Sequence, residues 1–205
     1  FFPFPNAIQG KRGRGQITAV MYAIAPESIS FWVERLSRHG IPFDGPVHRF
    51  DEEVIGFDDP DGMRIELVAT AANSGLPTFQ SNHVPAEHVV RQFYGVTLAS
   101  LRLSSSLNLL TDTMQFANGT ESTERVRLTI GDPARPTIVD LDTNSQMPTG
   151  QMSAGSVHHI AWRVTGDDAH AQWRRRIADT GMNVTPIIDR NYFHSIYYRE
   201  PGGVL

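Results

Sequence analysis

The chain has 205 residues, 40% of them hydrophobic and 20% charged, with 18 basic against 22 acidic side chains and a formal charge of −4. That balance gives no electrostatic case for nucleic acid or an acidic membrane surface, and the apolar content argues against disorder. Cysteine is absent, which removes disulfides, thiol nucleophiles, Cys-ligated zinc and iron–sulfur clusters together, so a metal here must use His, Asp, Glu or water. Taken in chain order, residues 10–15 read as a basic, glycine-rich loop and 17–24 as a continuous apolar strand. Pro26-Glu27-Ser28 opens a helix with Phe31, Trp32, Val33 and Leu36 on its apolar face, closed by Gly40. Short strands are expected at 47–50, 53–57 and 63–68, the last two separated by the turn Asp58-Asp59-Pro60-Asp61-Gly62.

From Ala71 the periodicity stops, and 71–92 reads as a linker between an N-terminal domain, 1–70, and a C-terminal domain, 93–205. A strand at 96–103, a helix at 107–114 and strands at 125–130 and 137–141 follow, then a loop to Gly155. The last stretch predicts a strand at 157–164, a helix from about Asp168 to Asp179 stopped by Gly181, and strands at 184–188, 195–199 and from Val204. No apolar run approaches the roughly 20 residues of a membrane span, and no secretory leader is visible. Together with the lack of cysteine, this suits a cytoplasmic protein.

Two stretches of the chain match each other. Residues 15–24 align with 155–164 at an offset of 140. Trp32, Leu36 and Gly40 align with Trp173, Ile177 and Gly181, and 57–62 with 198–203, at an offset of 141. Each unit reads as strand, helix and three strands, βαβββ. Residues 96–142 fit the same order more loosely, giving three units of about 70 residues each. Phe1-Phe2-Pro3-Phe4-Pro5 would be the last strand of a fourth. The 205 residues therefore read as a piece of a longer, four-unit protein.

His158-His159 is the pair with most chemical content. Strand alternation sends the two rings to opposite faces, His158 with Ile160 and Trp162 toward a helix, and His159 with Ala161 and Arg163 toward the inside of a cup. His159 is thus the better metal-ligand candidate. Other motifs lack specificity: residues 10–15 open no phosphate-binding helix, Ser104-Ser105-Ser106 has no nucleophile-elbow context, and Asp59 with Glu66 does not make a glycosidase pair.

The repeat, the string Val157-His158-His159-Ile160-Ala161-Trp162 and the string from Asp189 through Arg190, Tyr197 and Gly203 to Leu205 resemble the vicinal oxygen chelate superfamily. That superfamily includes glyoxalase I, bleomycin-resistance proteins and extradiol dioxygenases, and the second string resembles its hydroquinone-type ring-cleaving branch. The resemblance implies an α+β fold of tandem βαβββ modules, with cupped mixed sheets and helices outside. It implies a ring-cleaving dioxygenase acting with O2 on a hydroquinone- or catechol-type aromatic. It also implies Fe(II), or Mn(II), held by two His and a carboxylate, which leaves three open positions for substrate oxygens and O2. His159 then corresponds to a metal ligand, and His158, Arg190 and Tyr197 to active-site groups. Arg190 would stabilise a bound phenolate, and Tyr197 would donate a hydrogen bond or proton. Homo-oligomerisation is also implied, because sheets of such modules often pair between chains.

The two further ligands that the resemblance implies fall, by the repeat, outside the chain. The counterpart of Glu66 falls two residues beyond Leu205, and the first His falls on a strand before Phe1. Within the chain, the slots matching His159 are Ala19 and Leu98, neither of them a ligand. A metal-free drug-binding protein of the same fold and a glyoxalase-like isomerase are the alternatives.

Overall fold

The computed structural model describes residues 5–72 and 80–205. Residues 1–4 of the expected N-terminal strand and 73–79 of the expected linker lie outside the described residues. The first complete unit is β1 (Gln16–Ile24), α1 (Ile29–Arg38), β2 (Phe43–Arg49), β3 (Glu52–Asp58) and β4 (Arg64–Ala69). The second is β5 (Gln92–Ala99), α2 (Leu103–Asn108), which continues as a π turn over Leu109–Thr113, then β6 (Ala117–Glu121), β7 (Arg125–Ile130) and β8 (Thr137–Asp142). Both are βαβββ, so the loosely matching middle stretch is a full repeat.

The two units share one eight-stranded sheet, in the order β2-β3-β4-β1-β5-β8-β7-β6. Inside each unit the first and last strands pair parallel, β1 with β4 and β5 with β8. The units join through β1 and β5, which pair antiparallel with Val20 opposite Val96. The order therefore reads the same outward from that seam, a local two-fold about the Val20–Val96 pair. Continuous apolar runs suit these central strands, because they are buried on both faces.

The helices cover one face. Under α1, the residues Ile24, Ile29, Leu36, Ile55 and Leu67 form one cluster, with Trp32 and Val33 against it. Under α2, the residues Val96, Leu98, Leu109, Leu110, Leu128, Val139 and Leu141 form another. Burial of this kind stabilises by roughly 25 cal/mol per Å² of apolar surface. The opposite, concave face carries Met21, Ala23, Val54, Val68 and Ile138, with buried charges beside them.

Several boundaries differ from those the sequence predicts. β5 starts at Gln92 and ends at Ala99, four residues earlier than expected, because pairing with β1 recruits the polar start of the segment. α2 begins at Leu103 for the same reason. β6 has no apolar alternation to announce it; every residue of Ala117–Glu121 is exposed at the sheet edge. Leu98, expected as a counterpart of His159, packs under α2 instead.

The third unit packs beside this sheet. Its helix is α3 (Asp167–Ala178), and its only ladder among the described residues is the hairpin of β9 (Ile188–Asp189) and β10 (His194–Ser195). Of the strands expected at 157–164, 184–188 and 195–199, the last two enter a ladder only at Ile188 and Ser195, which pair with each other, and 157–164 forms no ladder among the described residues. Among the described residues, 157–164 make one bridge, Ile17 to Val157, and one further backbone bond, from the Ile160 N–H to the Leu205 carbonyl. A strand needs partners along its length, and β1 has them on both sides. The local repeat is nonetheless close. The Asp59 N–H donates to Met63 O and the Gly62 N–H to Asp59 O; 141 residues on, the Glu200 N–H donates to Val204 O and the Gly203 N–H to Glu200 O. Asp59 Oδ1 accepts from the Met63 N–H at 2.8 Å, as Glu200 Oε1 accepts from the Val204 N–H at 2.9 Å.

Candidate active site

All four residues singled out from the sequence come together on the third unit. Ile160 and Trp162 pack against the α2 cluster as the alternation predicts, Trp162 edge-on to Phe116 at 5.4 Å. His158 does not join them. It is exposed, and its Nδ1 lies 2.9 Å from His159 Nδ1.

His159 is half-buried, with its ring 6.0 Å from that of Tyr197 at 77°. Burial, and then the neighbouring His158, hold its pKa below the ordinary value of 6.5. A neutral imidazole keeps a lone pair for a metal. The Arg190 guanidinium lies 5.5 Å from the Tyr197 ring centre, within cation–π range. The next residue, Tyr198, turns the other way into the α2 core, where burial pushes its phenol up to about 12. Alternation along the chain thus leaves Tyr197 facing His159 and Arg190.

The hairpin sets Arg190. Asn191 takes a left-handed φ of 68°, and its N–H donates to Asp189 Oδ1 at 2.8 Å. The Arg190 N–H then donates to Phe193 O at 2.9 Å, closing a two-residue turn. On the far side, His194 Nδ1 lies 2.8 Å from Asp167 Oδ1 in the first turn of α3. Asp167 holds the His194 pKa above its ordinary value of 6.5.

Among the described residues no three His, Asp or Glu side chains gather as a metal would require. His159 offers one imidazole donor, and the described residues do not by themselves hold an ion.

The concave face of the sheet carries a second constellation, which the sequence reading reached only at Glu66. Met21 pairs with Glu66, and Thr97 with Asp140, so the two carboxylates occupy equivalent places about the Val20–Val96 two-fold. Arg49 donates to Glu66 Oε2 at 2.5 Å and Oε1 at 2.8 Å. Arg127 donates to both oxygens of Asp140, at 2.8 and 3.0 Å, and to Glu52 Oε2 at 2.6 Å. Tyr94 donates to the other oxygen of Glu52. Arg125 donates to Thr97 Oγ1 at 3.0 Å and lies 3.5 Å from Asp140. Three carboxylates and three guanidiniums balance here. The signal available in the sequence was a charged residue inside an otherwise apolar strand: Asp140 between Val139 and Leu141, and Arg127 between Val126 and Leu128.

Paired βαβββ modules with a shared sheet and helices outside define a glyoxalase-like protein. The chain belongs to the Glyoxalase/Bleomycin resistance protein/Dioxygenase superfamily, whose family model matches residues 99–205, more than half of it. It is 35% identical over its whole length to "Putative ring-cleaving dioxygenase MhqO" of Bacillus subtilis, covering 64% of that protein. It is 28% identical over its whole length to the chlorohydroquinone/hydroquinone 1,2-dioxygenase of Sphingobium indicum, covering 65% of it. The crystal structure of a Bacillus subtilis protein described as a "putative dioxygenase" superposes with a TM-score of 0.90 at 35% identity, over all of this chain and 64% of that one. A single-site variant of glyoxalase I from Zea mays superposes with a TM-score of 0.66 at 14% identity, over 99% of this chain and 69% of that one, a likeness of fold alone. The chain thus spans less than two thirds of MhqO.

Proposed function

We propose that the full-length protein is a metal-dependent dioxygenase that cleaves the ring of a hydroquinone- or catechol-type aromatic with O2. The observation that carries this is the continuous run from His158 through His159 and Tyr197 to Arg190, with His159 and Tyr197 rings 6.0 Å apart and Arg190 5.5 Å from Tyr197. Relatives bearing ring-cleaving dioxygenase names support it.

His159, kept neutral, is one ligand of Fe(II), or of Mn(II), and His158 orients its ring through the Nδ1 contact. Arg190 places a permanent positive charge where a phenolate would bind, and Tyr197 offers a hydroxyl for a hydrogen bond or proton to the substrate oxygen. Bound metal would supply adjacent open positions for the substrate oxygens and O2. By unit spacing, the remaining ligands are a His about 55–60 residues before Gly15 and a Glu at the counterpart of Glu66, two residues after Leu205.

The test is metal content and O2 uptake of the full gene product with hydroquinone and catechol. Uptake stoichiometric with ring-opened product, lost in His159→Ala together with the metal, is the expected result. Absence of either ligand from the gene, or aromatic binding without O2 consumption, would mean a metal-free binding protein instead. Turnover of a thiohemiacetal without O2 would mean an isomerase.

A further inference from the structure

We propose that Phe193 forms a wall of the substrate pocket and helps set which substituted aromatic rings are accepted. This rests on the reading that the site binds an aromatic ring, and it concerns a residue that reading does not use.

The argument starts from the hairpin register. Asp189 pairs with His194 and Ile188 with Ser195, and the Arg190 N–H to Phe193 O bond makes these two residues the pair next to the turn. Side chains of paired residues share a face, and faces alternate along each strand. Arg190 and Phe193 therefore lie on one face, and Asp189 and His194 on the other. The Arg190 guanidinium sits over the Tyr197 ring, which sits edge-on to His159, so the Arg190 face is the site face. Ser195 and Tyr197 follow Phe193 at alternate positions and extend the same face.

The opposite face is anchored. His194 on that face contacts Asp167 at the start of α3, at 2.8 Å, so the Asp189–His194 side of the hairpin is turned toward the helix. Phe193 is 61% exposed, so its ring is not spent on the core. Tyr192 at the turn apex is 96% exposed and belongs to neither paired position. An exposed aromatic ring paired across the hairpin with Arg190, on the face from which that guanidinium reaches Tyr197, offers a stacking partner for a hydroxylated aromatic. Ser195 Oγ, buried and without a hydrogen-bond partner among the described residues, sits on that face as well.

The experiment uses the full-length protein and three variants, Phe193→Leu, Phe193→Trp and Tyr192→Ala. Anaerobic titration with hydroquinone and with methyl- and chloro-substituted hydroquinones, followed by intrinsic fluorescence, gives Kd without turnover; O2 uptake then gives kcat and KM. Phe193→Leu is expected to raise Kd and KM about tenfold, close to 1.4 kcal/mol, and to reorder the substituted rings. Phe193→Trp should keep affinity with a shifted order, and Tyr192→Ala should match the parent, all with unchanged metal content and melting temperature. Unchanged Kd in Phe193→Leu, an equal loss in Tyr192→Ala, or no aromatic binding by the parent overturns the proposal. Parent binding without O2 uptake overturns the dioxygenase reading alone, and the Kd series still decides the role of Phe193.

Discussion

Arg49 grips Glu66 with both terminal nitrogens, at 2.5 and 2.8 Å, on the concave face of the sheet. Across the local two-fold, Arg127 grips Asp140 in the same bidentate way at 2.8 and 3.0 Å. A bidentate guanidinium satisfies both oxygens of a carboxylate and neutralises its charge. The cup formed by the first two units thus compensates its carboxylates internally. The third unit carries a half-buried His159 and an exposed His158, with the Tyr197 phenol and the Arg190 guanidinium beside them.

Removing Arg49 alone should be costly. Glu66 would remain buried without its main counter-charge, a change worth about 3–5 kcal/mol for a buried pair. Arg49→Met should therefore lower the urea midpoint sharply, while Arg49→Met combined with Glu66→Met recovers most of the loss. A double mutant as unstable as the single would mean that packing, not charge, is what Arg49 supplies.

The same pair sets an acid limit. Burial raises the Glu66 pKa, but the hydrogen bonds and charge of Arg49, helped by Arg125 and Arg64, outweigh it and leave the group below its ordinary value of 4.5. A depressed folded-state pKa gives stability that is fully present above the unfolded value and is lost as pH falls through the folded one. Urea midpoints should be flat from neutrality to about pH 5 and fall steeply below the ordinary range for Glu. Glu66→Gln should be less stable at pH 7 and show a shallower acid slope.

The parts of this fold legible in the sequence are those with a local cause. β1 is a continuous apolar run, and α1 has Pro26 at its entry and Gly40, at φ 65°, at its exit. The turn at Asp59 to Gly62 and its copy at Glu200 to Gly203 could be matched because the same side-chain-to-backbone bonds need the same residue types. What failed depends on partners remote in sequence. β6 is strand because β7 pairs with it, not because its residues favour it. Residues 157–164 resemble β1 in sequence but lack its ladder. His158 and His159 approach through their Nδ1 atoms rather than pointing apart, a contact between neighbouring side chains that strand alternation does not predict. Arg190 and Tyr197 were legible only through a family resemblance, since an Arg and a Tyr seven residues apart have no signature of their own. The network of Arg125, Arg127, Asp140 and Glu52 was missed because its members come from different strands.

Two glycines of the repeat should respond differently to Ala. Gly181 has φ 87° with nothing within 4 Å of an added Cβ, so Gly181→Ala should cost only the left-handed backbone penalty of about 1–2 kcal/mol. Gly155 has φ 78°, and its Cβ would lie 2.0 Å from the Asp61 carbonyl oxygen. Gly155→Ala adds overpacking of about 1–3 kcal/mol, where the third unit meets the β3–β4 turn. Thermal denaturation should rank Gly155→Ala well below Gly181→Ala, and equal melting temperatures would argue that this contact is not held in solution.

Tyr197→Phe is the sharpest test of the site itself. The substitution removes one hydroxyl and keeps the ring that His159 meets edge-on and Arg190 covers. The Tyr197 backbone is held separately: its N–H donates to Thr185 Oγ1 at 3.0 Å, and its carbonyl accepts from the Thr185 N–H at 3.0 Å. Fold, metal content and aromatic affinity should therefore survive. If the hydroxyl supplies a proton or hydrogen bond in the rate-determining transition state, kcat should fall about 100-fold or more while KM changes little. Arg190→Met should instead weaken binding of the ionised substrate and raise KM, because it removes the charge that the phenolate meets. Steady-state O2 uptake on the metal-loaded full-length protein separates the two, and a Tyr197→Phe variant with unaltered kcat would reduce Tyr197 to a packing residue between His159 and Arg190.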